Sequence, residues 1–158
     1  MSRDTAFTQA AAALGYSFDG EIKLGGNYVA LARDGRHVYV SGQVPRVGSE
    51  VVVTGRAGRD VTLAQAQLAA KVCALRALAL LQRSLGSLDK VRAILKVNVF
   101  TQSAEGFTQL SEVADAASGL LHEVLGPQAG AHARTSVGVF QLPKNATVEL
   151  DLVAVVDD

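Results

Sequence analysis

The sequence predicts an α+β domain in which a mixed β-sheet is covered on one face by two long helices. Short segments with alternating apolar residues recur along the chain and predict the strands. Two longer stretches with one-sided apolar stripes, residues 62–85 and 107–125, predict the helices. The predicted order is helix, β, β, a short β, α, β, α, β, β. With 158 residues, the chain is long enough for one domain with a two-layer core.

The domain begins with an extension and a loop, residues 1–26, ahead of a core that spans residues 27–156. Within the extension, Thr5 to Leu14 is rich in alanine and stops at Gly15. Glycine is frequent just after a helix end because it adopts left-handed backbone angles without strain. This pattern predicts a short N-terminal helix.

The strands of the first half of the core are predicted from alternation and turn residues. Asn27–Leu31 and Arg36–Val40 flank Asp34-Gly35, a residue pair that favours tight hairpin turns. A short edge strand is expected at Val51–Val53, among flexible glycines. A longer strand, Val91–Phe100, follows the first long helix.

The two long helices carry recognisable end signals. Thr62 and Gln65 have the spacing of a capping box, in which each side chain accepts a hydrogen bond from a free backbone N–H. The first helix is expected to end near Gly86. The second, at 107–125, is expected to end at Gly126-Pro127.

Composition limits the classes of function. The chain has 15 basic and 15 acidic residues, so nothing in its overall charge attracts nucleic acid or an anionic membrane. No apolar run is expected to span a membrane, and the N-terminus lacks the pattern of a signal peptide. The single cysteine, Cys73, is expected to be a buried packing residue. These observations favour a cytoplasmic protein that binds neither membranes nor nucleic acid.

The C-terminal segment places charges in an otherwise apolar part of the sheet. Ala133–Phe140 and Thr147–Val156 are predicted strands joined by a Pro-Lys-Asn turn, and we expect them to be neighbours. Alternation puts Arg134 on one strand, and Glu149 and Asp151 together on one face of the other. A charge in such surroundings needs a partner or a ligand.

Two interpretations of Arg134 follow from the residues alone. The guanidinium could form a structural ion pair with Glu149 or Asp151. It could instead bind the carboxylate of a ligand, because its planar fork matches that group with two parallel hydrogen bonds. The hairpin by itself does not choose between them. No residue spacing predicts a metal site, a phosphate-binding loop or a Ser-His-Asp triad.

Two motifs resemble one known family. The string H-A-R-T-S-V-G-V-x-x-L-P at residues 132–143, followed by V-E-L-D at 148–151, is similar to the C-terminal signature of the YjgF/RidA deaminases, also labelled endoribonuclease L-PSP-like. The string S-G-Q-x-P at 41–45 resembles the family's second signature. The resemblance covers most of the chain, from about residue 27 to residue 156.

The resemblance implies a chorismate-mutase-like (YjgF) fold and a homotrimer with clefts between subunits. It also implies hydrolysis of reactive 2-imino acids, formed from enamines, to 2-oxo acids and ammonia, with no cofactor or metal. Arg134 would bind the carboxylate of this small substrate and Glu149 would orient or activate water. The substrate would also contact four further residues by backbone or side chain: Tyr28, Ser41, Gly42 and Ser136.

The sequence departs from the family pattern in two places. Ser136 stands where many members have a cysteine, and the segment 47–58 is longer than the corresponding turn. Two other classes of function therefore remain open. One is a non-catalytic trimer that binds small carboxylates, and the other is an endoribonuclease, which the neutral charge balance disfavours. Chorismate mutase activity would rest on fold analogy alone.

Overall fold

The computed structural model describes all 158 residues and contains three α-helices and seven β-strands. The helices are α1 (Arg3–Ala13), α2 (Leu63–Leu85) and α3 (Leu110–Ala129). The strands are β1 (Leu31–Asp34), β2 (His37–Gln43), β3 (Arg46–Val47), β4 (Glu50–Val51), β5 (Val91–Gln102), β6 (Ala133–Val139) and β7 (Val148–Val156). The α+β class with a mixed sheet is confirmed.

Five strands form the main sheet in the order β1-β2-β7-β5-β6. All neighbours are antiparallel except β5 and β6, which are parallel. The expectation that β6 and β7 are neighbours is wrong, because β5 lies between them. At 12 residues, β5 is the longest strand, and its place between β7 and β6 gives each of its edges a hydrogen-bonding partner. The chain crosses from one side of β5 to the other through the turn at Pro143–Asn145.

One face of the sheet is covered by helices and forms the core. The side chains of β7 alternate, so that Val148, Leu150, Leu152, Ala154 and Val156 are buried while the residues between them are partly exposed. Both α2 and α3 pack on this face, and α1 packs against them. The helical layer therefore contains three helices rather than two, because the N-terminal extension belongs to it.

Helix α2 is the centre of this layer, and its ends match the prediction. The capping box is confirmed: Gln65 N donates to Thr62 Oγ1 at 3.2 Å and Thr62 N donates to Gln65 Oε1 at 2.8 Å. Gly86 ends the helix with a left-handed φ of 82°. By length and composition α2 could cross a membrane, contrary to expectation, but 67% of its apolar window is buried in this domain.

The other boundaries differ from the predictions by a few residues. The first strand begins at Leu31, and the predicted strand residues before it form bends. The edge strand occurs as β4, one residue earlier than predicted, and pairs with the unpredicted β3. In α3, Gly126 interrupts the helix with a φ of 86°, and a short turn after it extends the element to Ala129. Glycine and proline weaken a helix but do not prevent one more turn beyond them.

The second face of the sheet has no helix over it. Three of its large apolar residues, Tyr39, Leu95 and Val137, are exposed. Leu95 reaches this face because the register between β5 and β7 shifts between Ile94 and Lys96. The face therefore mixes apolar and polar side chains, in contrast to the helix-covered face.

Candidate functional site

A β-bulge shapes the end of β2. Val40 pairs with Leu152 of β7 and Gln43 pairs with Leu150, so Ser41 and Gly42 together lie opposite the single residue between them, Asp151. Such an extra residue bends the strand and changes where its side chains point. The S-G-Q motif is thus the site at which regular pairing between β2 and β7 is interrupted.

The bulge is held in place by hydrogen bonds on both sides. Ser41 Oγ donates to Val29 O at 2.6 Å, and Ser41 N donates to Ala30 O at 2.9 Å. On the helix side, the buried amide of Gln43 donates through Nε2 to Ser41 O at 2.9 Å. These bonds use the Ser41 hydroxyl proton within the protein and fix the backbone of the motif.

Gly42 lies against the side chain of Glu149. A Cβ atom at position 42 would overlap Glu149 Oε1 and would lie 2.9 Å from Glu149 Cδ. With a larger residue at position 42, the carboxylate would have to move from its present position. This close approach explains the glycine of the motif. The sequence predicted Gly42 as a site residue but did not predict its contact with Glu149.

Glu149 is a half-buried carboxylate that has no hydrogen bond or ion pair within the chain. Burial raises the pKa of Glu149 above its ordinary value, and the neighbouring Asp151 charge adds to the increase. Asp151 itself accepts a hydrogen bond from Asn98 Nδ2 at 2.8 Å. Glu149 is thus suited to gain and lose protons closer to neutral pH than an ordinary glutamate.

A cavity of about 540 Å³ opens beside this carboxylate. The structure brings four of the six predicted site residues together in its wall: Tyr28, Ser41, Gly42 and Glu149. Their roles toward a substrate stay predictions. A volume of this size accommodates a small organic acid with water.

The cavity wall also contains Arg76 of α2, which the sequence analysis missed. Its side chain is almost fully buried, with 4% of the residue exposed. The guanidinium donates to Gln43 Oε1 at 3.2 Å, to Arg46 O at 2.8 Å and to Lys23 O at 3.4 Å. No carboxylate neutralises it, and burial lowers the pKa of Arg76. The only sequence signal was one arginine within an alanine- and leucine-rich helix.

Three further basic residues line the same cavity: Lys23, Arg46 and Lys144. The Nε atom of Arg46 is buried and has no hydrogen-bond partner. A buried donor without a partner costs about 1–3 kcal/mol, and Arg46 Nε is one of two such side-chain atoms, the other being Thr101 Oγ1. Lys144 has a left-handed φ of 58° in the turn before β7.

Arg134 lies apart from this cavity. It pairs with Val97 of β5, whose side chain is buried under the helices, whereas Glu149 pairs with Phe100 of β5, three residues further along. Since side chains alternate along a strand, Arg134 and Glu149 point to opposite faces of the sheet. Within one chain the two side chains therefore do not share a cleft, and the roles that the resemblance implies for them stay predictions. Ser136, which pairs with Val99, lies on the same face as Arg134.

The partner of Arg134 is a helix residue. Its Nη1 donates to Asp115 Oδ1 at 2.8 Å and to Ser118 Oγ at 3.0 Å. Ser118 Oγ also lies 2.8 Å from His132 Nε2. Neither acidic residue of β7 contacts the guanidinium, so the structural ion pair that Arg134 forms is with Asp115 and not with Glu149 or Asp151. A strand at the sheet edge lets Arg134 reach over to α3, which strand periodicity alone does not reveal.

A larger cavity of about 880 Å³ lies elsewhere, beside Arg56 and Phe140. It is an open depression, and Arg56 is held over the Phe140 ring at 4.8 Å from its centroid. The smaller cavity is more enclosed and contains the unpartnered carboxylate, so we regard it as the candidate site. No group of three or more His, Cys, Asp or Glu side chains is placed to hold a metal ion.

Comparison with known proteins places this chain in a family. Residues 20–156 match the family described as Endoribonuclease L-PSP. The chain is 43% identical over 125 residues to "Protein TCP17" of Trypanosoma cruzi, covering 79% of this chain and 78% of that protein. It is 29% identical over 133 residues to the "2-iminobutanoate/2-iminopropanoate deaminase" of Dermatophagoides farinae, covering 84% and 88%.

A solved structure shows the same architecture over nearly the whole chain. The protein Atu1372 from Agrobacterium tumefaciens superposes with a TM-score of 0.88 at 38% identity, covering 99% of this chain and 96% of that one. The fold and the site define a protein of the YjgF/RidA class. The chain belongs to the Endoribonuclease L-PSP family, as its two motifs predicted.

The environment of Glu149 predicts a titration that NMR can measure. The pKa of Glu149, followed through its carboxyl ¹³C shift, is expected above the ordinary value of 4.5. Asp151→Asn should lower it, because a neighbouring negative charge is lost, but not to 4.5, since burial is the larger cause. A Glu149 pKa at or below 4.5 would contradict this description.

The same pKa shift has a consequence for stability. A raised pKa in the folded state means that folding favours the protonated carboxyl, so the stability of the protein falls as pH rises from about 4.5 through the folded pKa. The amide of Glu149→Gln does not ionise over this pH range. Its free energy of unfolding should therefore rise relative to wild type over that interval, as measured by urea denaturation at several pH values.

Proposed function

We propose that the protein hydrolyses reactive 2-imino acids to 2-oxo acids and ammonia in the cavity beside Glu149. The observation that carries the proposal is the unpartnered, half-buried carboxylate of Glu149 facing a cavity of small-molecule size. Its raised pKa suits a group that must both accept and donate a proton during one turnover. Membership of the family and the distant deaminase relative support the same chemistry.

The reaction needs little beyond positioning and proton transfer. Water adds to C2 of the protonated imine while its proton passes to the Glu149 carboxylate, forming a 2-amino-2-hydroxy acid. Glu149 then returns the proton to nitrogen and takes up the proton of the C2 hydroxyl as the C–N bond breaks, so that ammonia leaves while the C=O bond forms. Ammonia accepts that second proton as it departs, which restores the Glu149 carboxylate. Because the iminium carbon is already electrophilic, the protein's main contribution is to hold substrate, water and carboxylate together.

Replacement of Glu149 tests this mechanism. An amino-acid oxidase would generate the imine, with catalase present, and release of 2-oxo acid would be followed with and without the protein. Glu149→Gln should reduce the enzymatic rate at least about 100-fold, because general acid–base catalysis contributes factors of that order. Glu123→Gln is the matched control, since Glu123 is an exposed carboxylate of α3 outside the cavity wall.

Two results would reject the proposal. One is an absence of acceleration by wild-type protein with several imine precursors. The other is equal activity of wild type and Glu149→Gln. If wild type binds small 2-oxo acids and does not accelerate hydrolysis, the protein is a non-catalytic carboxylate-binding protein, the second class that its basic cavity wall supports.

We also propose that the working form is a homotrimer. The exposed apolar residues of the uncovered sheet face support it, because contact between copies would remove them from water. Arg134 lies on β6 at the edge of the sheet, and across this edge it would serve the cavity of a neighbouring copy. Within one chain it points away from Glu149, so it can hold a substrate carboxylate beside Glu149 only across a subunit boundary.

A mixing experiment tests this arrangement directly. Arg134→Ala and Glu149→Gln should each be inactive alone, whereas co-expressed mixed trimers should recover roughly a quarter of wild-type activity, because a random quarter of the sites receives both intact residues. The mass in solution should be three times the 16.5 kDa of one chain. A monomer, or mixed assemblies without any recovery, would contradict shared sites.

A further inference from the structure

The cavity beside Glu149 contains more positive charge than a monocarboxylate substrate requires. Its wall has four basic residues and one acidic residue, so basic groups exceed acidic ones by three. No ion pair within the chain involves any of these four basic side chains. A protonated imine with one carboxylate has no net charge and would leave this excess uncompensated.

Part of the excess lies on two arginines whose guanidinium groups have no carboxylate partner. Arg46 is partly buried, and its Nε has no acceptor anywhere in the chain. Arg76 has five N–H donors and uses three of them, all toward neutral oxygen atoms. An arginine used only for structure normally pairs with a carboxylate when it is this deeply buried, and Arg76 has none.

The two arginines are connected through the backbone of Arg46. Arg76 Nη1 donates to the carbonyl oxygen of Arg46 at 2.8 Å, so the helix fixes the backbone that carries the second arginine. Gln43 connects Arg76 to the bulge, since its amide contacts Arg76 on one side and Ser41 on the other. Buried hydrogen bonds therefore position the Arg76 guanidinium and the backbone of Arg46 relative to Gly42 and Glu149, whereas Lys23 and Lys144 are exposed.

From this geometry we propose that the cavity selects 2-imino acids with a second acidic group, which Arg46 and Arg76 bind. The substrate class is the imines of acidic amino acids, in which a side-chain carboxylate or a phosphonate-like group supplies the second negative charge. Such a ligand would give Arg46 Nε the acceptor that it lacks and would compensate the charge of a buried arginine pair. This inference rests on the proposed deaminase function and extends it to specificity.

The test compares two imines of equal size that differ in one charge. Glutamate and glutamine would each be oxidised to the imine, and kcat/KM for hydrolysis would be measured for both. Wild type should prefer the glutamate-derived imine at least about tenfold, the factor expected for one charge-assisted hydrogen bond. Arg46→Gln should bring this ratio close to one, and Arg46→Lys should restore part of it.

Controls separate specificity from folding. Arg92→Gln removes one positive charge outside the cavity and should leave the ratio unchanged. Arg76→Gln loses hydrogen bonds to two elements, so its result counts only if its circular dichroism and thermal unfolding match those of wild type. The ratio, and not the absolute rate, is the measured quantity, because a purely structural role for Arg46 would lower both rates together.

Equilibrium binding distinguishes failure of this inference from failure of the deaminase proposal. Titration calorimetry would compare 2-oxoglutarate with its side-chain amide, and with 2-oxo-4-phosphonobutanoate to separate carboxylate from phosphonate. Equal hydrolysis of both imines would leave the deaminase intact and overturn the second acid site. If neither imine is hydrolysed, the deaminase proposal fails. The second acid site is then still supported if wild type binds the dianions more tightly than the amide and Arg46→Gln does not. Equal binding of dianion and amide would overturn it.

Discussion

The contact between Gly42 and the Glu149 carboxylate is the constraint on which the rest of the site depends. A side chain at position 42 would displace that carboxylate from its present position. The bulge in β2 lies at the same point. The hydrogen bonds from Ser41 Oγ to Val29 O and from Gln43 Nε2 to Ser41 O hold its backbone in position. Burial then raises the pKa of Glu149, because the carboxylate is removed from water without receiving a partner. Local backbone geometry thus determines the electrostatics of the cavity.

Much of this arrangement was predictable from local signals. The capping box of Thr62 and Gln65 and the left-handed Gly86 are properties of a few adjacent residues, and both are confirmed. Tyr28, Ser41, Gly42 and Glu149 were selected by motif, and they converge on one cavity although they come from distant parts of the chain. Short patterns succeed here because each reports a backbone requirement of its own position.

The failures concern relations between distant segments. The turn before β7 predicted a hairpin, but sheet order depends on which strand offers the longest complementary edge, and β5 separates β6 from β7. In this strand order Arg134 and Glu149 lie on opposite faces of the sheet, and Arg134 pairs with Asp115 of α3. Arg76 was missed because helix periodicity assigns it only to a face of α2. The periodicity does not show that a bulge and a loop close around its side chain. A shift of register at Leu95 likewise exposes a residue that alternation would bury.

The most direct test of the account is a crystal structure of the protein with 2-oxobutanoate, a stable product of the proposed reaction. The account predicts the acid in the cavity beside Gly42, with its reacting carbon within one water molecule of the Glu149 carboxylate. It also predicts that the carboxylate of the ligand is bound by Arg134 of a neighbouring copy. An acid bound instead on the helix-covered side, between Arg134 and Asp115 of one chain, with the cavity beside Glu149 filled only by water, would contradict it.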